Sequence, residues 1–289
     1  MDGAGFEPAA STMPTRLHLN SDCLKKFADL LLVNMRLEKK TIQQNIQDAR
    51  RFLEMSNYIV NYENVKRYLE SYIPKAAKTY NTQITSLRRF IRDFLQVPKF
   101  IMSFKMAPID VWAFARELPS KKQIRLGFEG LGETRAQAIY LFTATTGLRK
   151  GEILALQKSH VDFDLHSVIP RHFTRKKRSG ITFFNEETAF WLQKYLMNRK
   201  DASQILFVVS DRQWKNIWRL ASKSAGVLIT SKVFRAWFST EMEELGTPDR
   251  FIDIFQGRAP RSVLAKHYAG KGLERLKRIY DKANLKILF

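Results

Sequence analysis

Between Val97 and Ser120 the chain carries three prolines, Pro98, Pro108 and Pro119, and few positions that repeat with a helical or strand period. Proline locks its own φ, lacks an amide donor and pushes the preceding residue out of the helical region. No continuous element is expected through such a stretch, and the inter-domain linker is placed there; a length of 289 residues suits one large or two medium domains. The expected division is a helical domain over 20–97, a linker over 98–120 and a larger domain over 121–289. Residues 1–19 are small, proline-containing and aperiodic, and are expected to form an unfolded tail.

In the first domain Ser21 stands as an N-cap before Leu24, Phe27, Leu30 and Leu31 at helical spacing. Further helices are expected from about Thr41 to Leu53, Asn64 to Ser71 and Lys75 to Leu95. In the last of these, Ile84, Leu87, Phe90, Ile91, Phe94 and Leu95 form one apolar stripe, while Lys78, Arg88, Arg89 and Arg92 lie off it. The second domain opens with helices, one carrying Ala136 to Thr145. Its texture changes at 161–185, where two β-prone stretches flank Lys176-Lys177-Arg178-Ser179-Gly180, the pattern of a β-hairpin with a basic tip. Helical periodicity then returns. The expected fold class is mainly α with a small antiparallel β-hairpin or sheet, in two domains.

Forty-nine lysines and arginines against 28 aspartates and glutamates give a net charge of +21. A field of that size favours a polyanion, and nucleic acid is the expected partner. Arg88, Arg89 and Arg92 of the first domain, with Arg175 and Arg178 at the hairpin tip, are its expected contacts. Cys23 is the single cysteine, so no internal disulfide can form and no zinc cluster is spelled. His160, His166 and His172 recur every six residues, which fits no ligand pattern, and Gly130-Leu131-Gly132 lacks the third glycine of a dinucleotide loop. Neither metal nor cofactor is expected. No apolar run reaches the roughly 18 residues of a membrane span, and the N-terminus lacks the order of a signal peptide. The expected location is cytoplasmic, with the nucleoid.

Three short segments carry chemistry. Thr145-Thr146-Gly147-Leu148-Arg149-Lys150-Gly151-Glu152 puts an arginine at a helix start with Glu152 one turn on, where a carboxylate can hold it. Lys232-Val233-Phe234-Arg235 sets two cations on one helical face, an arrangement that an anion between them would relieve. Gln256-Gly257-Arg258 is followed ten residues later by Tyr268.

Taken in this order, a Thr-Gly-Leu-Arg-x-x-Glu, a basic hairpin, a Lys-x-x-Arg, a Gly-Arg and a tyrosine, the sequence over roughly 121–270 resembles the catalytic domain of the tyrosine recombinase (phage integrase) family. The helical domain before it resembles that family's core-binding domain. Gly-Arg-x-Pro-x-Ser-Val-Leu-x-x-His-Tyr looks most like the archaeal, fusellovirus-type integrases. The resemblance implies site-specific cleavage and rejoining of double-stranded DNA through a covalent 3′-phosphotyrosine. It makes Tyr268 the nucleophile and Arg149 and Arg235 the phosphate clamp. Lys176 or Lys177 becomes the general acid, and the active form a homotetramer on DNA. Two departures stand out. Lys232 and Arg258 occupy positions where the family usually has histidine, or histidine or tryptophan, and the step from Arg258 to the tyrosine is ten residues rather than nine. Lys232 as base or as electrostatic clamp, and the choice between the hairpin lysines, stay open. A type IB topoisomerase shares the chemistry, and a DNA-binding protein without activity shares the charge.

The residue types suit the reaction. Attack on a phosphodiester concentrates charge on the non-bridging oxygens, which two guanidinium forks can stabilise while staying protonated. A tyrosine, with a pKa near about 10 in water, is drawn toward phenolate by neighbouring arginines. The leaving alkoxide needs a proton, which a lysine can supply and arginine cannot. Two terminal features complete the expectation. Residues 273–289 place Leu273, Leu276, Ile279 and Tyr280 at helical spacing and are expected to mediate assembly. Gly5-Phe6-Glu7-Pro8 can be encoded through the GTTCGA core of a tRNA T-arm, so the 5′ end of the gene is expected to overlap a tRNA gene and carry the attachment site.

Overall fold

The computed structural model describes residues 16–110, 117–170, 180–258 and 272–288. The chain divides into two compact units, Met1–Ala115 and Arg116–Phe289.

The first unit is helical: α1 Cys23–Asp29, α2 Lys39–Met55, α3 Tyr62–Glu70 and α4 Ala77–Leu87. The sequence expects all four. Asn61 starts α3 by accepting from the Asn64 amide at 2.8 Å, which satisfies one of the orphan donors at a helix start. α4 continues through Arg88–Phe94 in wider, π-type turns. The stripe read from the sequence closes the core, with Ile84, Leu87, Phe90 and Ile91 buried against Phe27 and Phe52. Asp48 is buried among them and accepts from Gln44, Gln83 and Ser86, so its charge is hydrogen-bonded rather than stranded.

Two boundaries need correction. The unfolded tail does not reach residue 19, because β1 Leu17–His18 pairs antiparallel with β2 Ile59–Val60. The linker does not begin at 98 either. Pro98–Phe100 forms a single tight turn, and Phe100 and Ile101 are buried in the first unit's core. An alternating strand two residues long, and a turn of three, are too short to show as a period.

The second unit is built around α6, Thr134–Thr146, in which Ala138 to Thr146 are all buried. A helix apolar on every side belongs at the centre of a domain, and α8 Glu186–Met197 and α10 Ser231–Glu244 pack on it. α5 Lys121–Glu129 lies on α9 Asp211–Ala225. Ser120 with Gln123 and Ser210 with Gln213 form the capping boxes that start these two helices. Short α7 Lys150–Leu154 and α11 Asp249–Phe255 carry the polar site. β3 Val161–Asp162, β4 Ser167–Val168 and β5 Thr182–Phe183 form an antiparallel sheet in that order, with Val168 opposite Thr182. β4 and β5 are the arms of the expected hairpin, whose tip with Arg175, Lys176, Lys177 and Arg178 lies outside the described residues.

The last helix, α12 Gly272–Ala283, packs on its own unit. Leu276, Tyr280, Ala283, Leu285 and Ile287 are buried in the same core as α6. Glu187 accepts from the backbone amides of Ile287 and Leu288 at 2.9 Å each, tying the end of the chain down. The apolar positions 276 and 280, read as an assembly surface, are therefore core residues here.

Candidate active site

The site begins at the end of α6. Gly147 takes a left-handed conformation with φ 61° and ends the helix. A methyl group there would stand 2.5 Å from the Phe238 ring, so glycine is required by space as well as by φ. The last carbonyls of a helix have no intrahelical donor. Here three in succession are taken by side chains from three elements. The Thr145 carbonyl accepts from the Tyr280 hydroxyl of α12 at 2.8 Å. The Thr146 carbonyl accepts from the Thr182 hydroxyl of β5 at 2.8 Å. The Gly147 carbonyl accepts from Arg235 Nη1 of α10 at 2.7 Å. The C-terminal helix, the hairpin arm and the Lys-x-x-Arg helix are thus registered on one turn.

Arg149 follows as the N-cap of α7 in extended conformation. The expected Arg149–Glu152 pair is present and made twice. Glu152 Oε2 accepts the Arg149 amide at 2.7 Å, and Oε1 accepts Arg149 Nη1 at 2.8 Å. Glu152 is buried, and its carboxylate is paired with Arg149. The Arg149 side chain remains about a third exposed.

Arg235 is held differently. Nη1 goes to Gly147 and Nη2 to the Gln256 carbonyl at 2.6 Å, both neutral acceptors. Its positive charge is therefore not cancelled by a bonded carboxylate. Burial, with the nearby cations Arg149 and then Arg258, pushes its pKa down to about 10, against the opposing pull of Glu152 and Asp253. At neutral pH the group stays a cation with no carboxylate bonded to it among the described residues, and a phosphate could take that place.

Arg258 is exposed, with its backbone amide on the Asp253 carbonyl at 2.7 Å and Nη1 3.7 Å from the Asp253 carboxylate. Lys232 is exposed one turn before Arg235. The two cations of that segment thus differ: Arg235 is built into the polar site and Lys232 stands at the surface. Gly180, entering β5, passes so close to Ile254 and Gly257 that any side chain there would meet the Ile254 carbonyl. The hairpin arm is thereby pinned beside the Gly257-Arg258 turn. Tyr268 lies outside the described residues. The Tyr280 hydroxyl is buried and bonded to the Thr145 carbonyl, so it faces the core and no substrate. Burial also raises its pKa well above the ordinary phenol value.

The expected DNA contacts of the first unit fare unevenly. Arg88 turns inward, donating to the Phe104 carbonyl, and Arg89 donates to Asn45. Arg92 is exposed but forks onto Asp93. Sequence periodicity places a side chain off the apolar stripe without showing what lies beside it. A cationic face that the sequence reading did not single out lies on α9. Arg212, Lys215 and Arg219 are exposed there around a cleft of about 500 Å³ with Gln213 and Asn216. None of the three is paired with a carboxylate among the described residues. Its signal was legible as basic residues at i, i+3 and i+7 (212, 215 and 219). α9 adjoins the arginine turn, because Lys150 pairs with Asp211 at 2.6 Å and lies over the Trp214 ring. Among the described residues no cluster of histidine, cysteine or acidic side chains is arranged to hold a metal, and no helix is long and apolar enough to cross a membrane.

The chain is similar to tyrosine recombinases named XerA from two archaea. It is 25% identical to that of Pyrococcus horikoshii over 280 residues, covering 92% of this chain and 95% of the relative. It is 31% identical to that of Thermococcus onnurineus over 163 residues, covering 52% of this chain and 56% of the relative, so this match spans little more than half of that protein. Its fold is similar to that of the Tn1549 transposon integrase in complex with circular intermediate DNA, with a TM-score of 0.64, 16% identity, and 86% of this chain and 95% of the other covered. A lambda integrase dimer bound to a COC′ core site aligns with a TM-score of 0.63, 13% identity, and 84% and 96% covered. The model of the phage integrase family matches residues 128–272, a span that runs from α5 through both arginines and the tyrosine segment to the start of α12, and the chain belongs to that family.

Proposed function

We propose that this protein is a site-specific DNA recombinase that cuts and rejoins double-stranded DNA through a 3′-phosphotyrosine at Tyr268. The observation that carries the reading is the pairing of two differently held arginines on one turn. Arg149 is oriented by a buried carboxylate and Arg235 by two neutral carbonyls, leaving an excess of positive charge where a phosphate fits. In the proposed reaction the Tyr268 hydroxyl loses its proton, to water or to Lys232 if that group acts as base, its oxygen attacks the scissile phosphorus, and the bond to the 5′ oxygen breaks. Arg149 and Arg235 stabilise the charge that develops on the non-bridging oxygens. Lys176 or Lys177 protonates the departing 5′ oxygen, which leaves as a hydroxyl. Exposed Arg258 and Lys232 add positive potential at the rim. Rejoining reverses these steps, and because the phosphate ester is conserved it needs no external energy source.

The basic face of α9 is the proposed DNA-backbone contact nearest the site, with Arg89 and Arg92 contributing from the helical unit. The active assembly is proposed to be a homotetramer holding two duplexes, acting in the cytoplasm on a mobile element's attachment sites. The Gly5-Phe6-Glu7-Pro8 segment supports a site inside a tRNA gene, and reading codons 1–20 for a T-arm tests that part alone.

The test of the reaction is incubation with a nicked attachment-site duplex and a denaturing gel. A protein-linked DNA strand at Tyr268 is the expected product. Its absence with DNA that the protein binds would overturn the reading. Relaxation of supercoiled plasmid without exchange between two sites would replace it with a topoisomerase.

A further inference from the structure

Gln256 is the last residue before the Gly257-Arg258 turn, and it is fully buried. It contacts Arg235 twice. Its backbone carbonyl accepts from Arg235 Nη2 at 2.6 Å, and its side-chain Nε2 donates to the Arg235 carbonyl at 2.7 Å. The side-chain Oε1 is buried with no hydrogen-bond partner among the described residues. The Arg235 carbonyl sits inside α10, where the helical ladder already supplies it with a donor, so the helix does not need the amide. A buried acceptor without a donor is unfavourable. An apolar side chain of similar volume would fill this space without an acceptor that lacks a donor among the described residues. Stability alone therefore does not call for glutamine at this position.

The two contacts close a ring. One bond runs from the arginine side chain to the glutamine backbone, and the other from the glutamine side chain to the arginine backbone. Such a pair fixes the end of α11 against α10 in both translation and rotation, as a single bond would not. Position matters because Arg235 has its other terminal nitrogen on Gly147, so the Gln256 carbonyl decides where the guanidinium fork can point. We infer that Gln256 is a positioning residue that aims the Arg235 fork at the scissile phosphate. This inference rests on the proposed recombinase reading, and it assigns Gln256 no contact with DNA.

The test uses the full-length chain with Gln256→Leu, and Gln256→Met should the branched side chain fail to fold. Three quantities are measured: melting temperature, affinity for the attachment-site duplex, and the single-turnover rate of adduct formation on nicked DNA. The expected result is an unchanged or higher melting temperature, unchanged affinity, and cleavage slowed by roughly tenfold to a hundredfold, the scale at which small misplacements act. The decisive readout is a double-mutant cycle. In an Arg235→Ala background the further loss from Gln256→Leu should disappear, because no fork remains to be aimed. Unchanged cleavage in Gln256→Leu, or a full additional loss in the Arg235→Ala background, would overturn the inference. Absence of adduct from the unaltered protein would instead overturn the recombinase reading itself.

Discussion

The guanidinium of Arg235 donates to the carbonyl oxygen of Gly147 from 88 residues away in sequence, at 2.7 Å. That bond joins the Lys-x-x-Arg helix to the glycine that ends the central helix, two residues before the second arginine. It makes the glycine part of the site's geometry as well as of the turn.

Gly147→Ala should therefore do more than strain one backbone position. The left-handed φ and the overlap with Phe238 together are expected to cost about 2–4 kcal/mol. Denaturant unfolding measures this, and the adduct rate of the folded fraction should also fall. A variant as stable as the parent would show that the Phe238 ring yields freely.

Arg149→Ala and Arg235→Ala should each slow cleavage by on the order of a hundredfold or more, the usual effect of losing one preorganised donor to developing charge. Affinity should be largely kept, since it comes from many phosphate contacts. Glu152→Gln keeps the shape but removes the charge that orients Arg149, and should slow cleavage by a smaller factor. Loss of DNA binding with normal cleavage at saturation would contradict the clamp.

Tyr268→Phe should bind DNA normally and form no adduct, because only the attacking oxygen is removed. Tyr280→Phe should behave in the opposite way. It is expected to lose about 1 kcal/mol of stability with its bond to Thr145 and to leave the adduct rate of the folded protein intact. Residual adduct in Tyr268→Phe would move the nucleophile.

Replacing Arg212, Lys215 and Arg219 together by alanine should weaken DNA binding without changing the cleavage rate at saturation. If all three meet phosphates, the slope of log affinity against log salt should fall in magnitude by about 3. An unchanged slope would remove α9 from the interface.

Deleting 275–289 should unfold or severely destabilise the second unit, because Leu276, Tyr280, Leu285 and Ile287 leave its core. A truncated protein with a native melting temperature would show that the segment is dispensable for folding and free to act elsewhere.

Much of this architecture was written in local pattern. The apolar stripe from Ile84 to Leu95, the Ser-x-x-Gln boxes at Ser120 and Ser210, and the β-prone flanks of the hairpin each express a preference that a short window contains. The Arg149–Glu152 contact is of the same kind, since three residues on a helix start fix it. Local pattern also misled where partners came from afar. Tyr280 reads as an exposed helical position that could dock a neighbour, and it is instead buried against Thr145. Arg88 reads as a surface cation and instead caps the Phe104 carbonyl.

By itself, then, the sequence determined the two-body division, most helices, the Arg149–Glu152 contact and the family pattern that orders the candidate site. Each depends on residue type and spacing over a few turns of chain. Only the tertiary structure decided that three successive carbonyls at the end of α6 would be claimed by Tyr280, Thr182 and Arg235, and that Gln256 would be locked to Arg235. Those bonds join residues from 21 to 135 positions apart, and a hydrogen bond has no reach along the sequence. It forms where packing of the apolar core brings a buried donor and an orphan acceptor within about 3 Å, and that placement is a property of the whole unit.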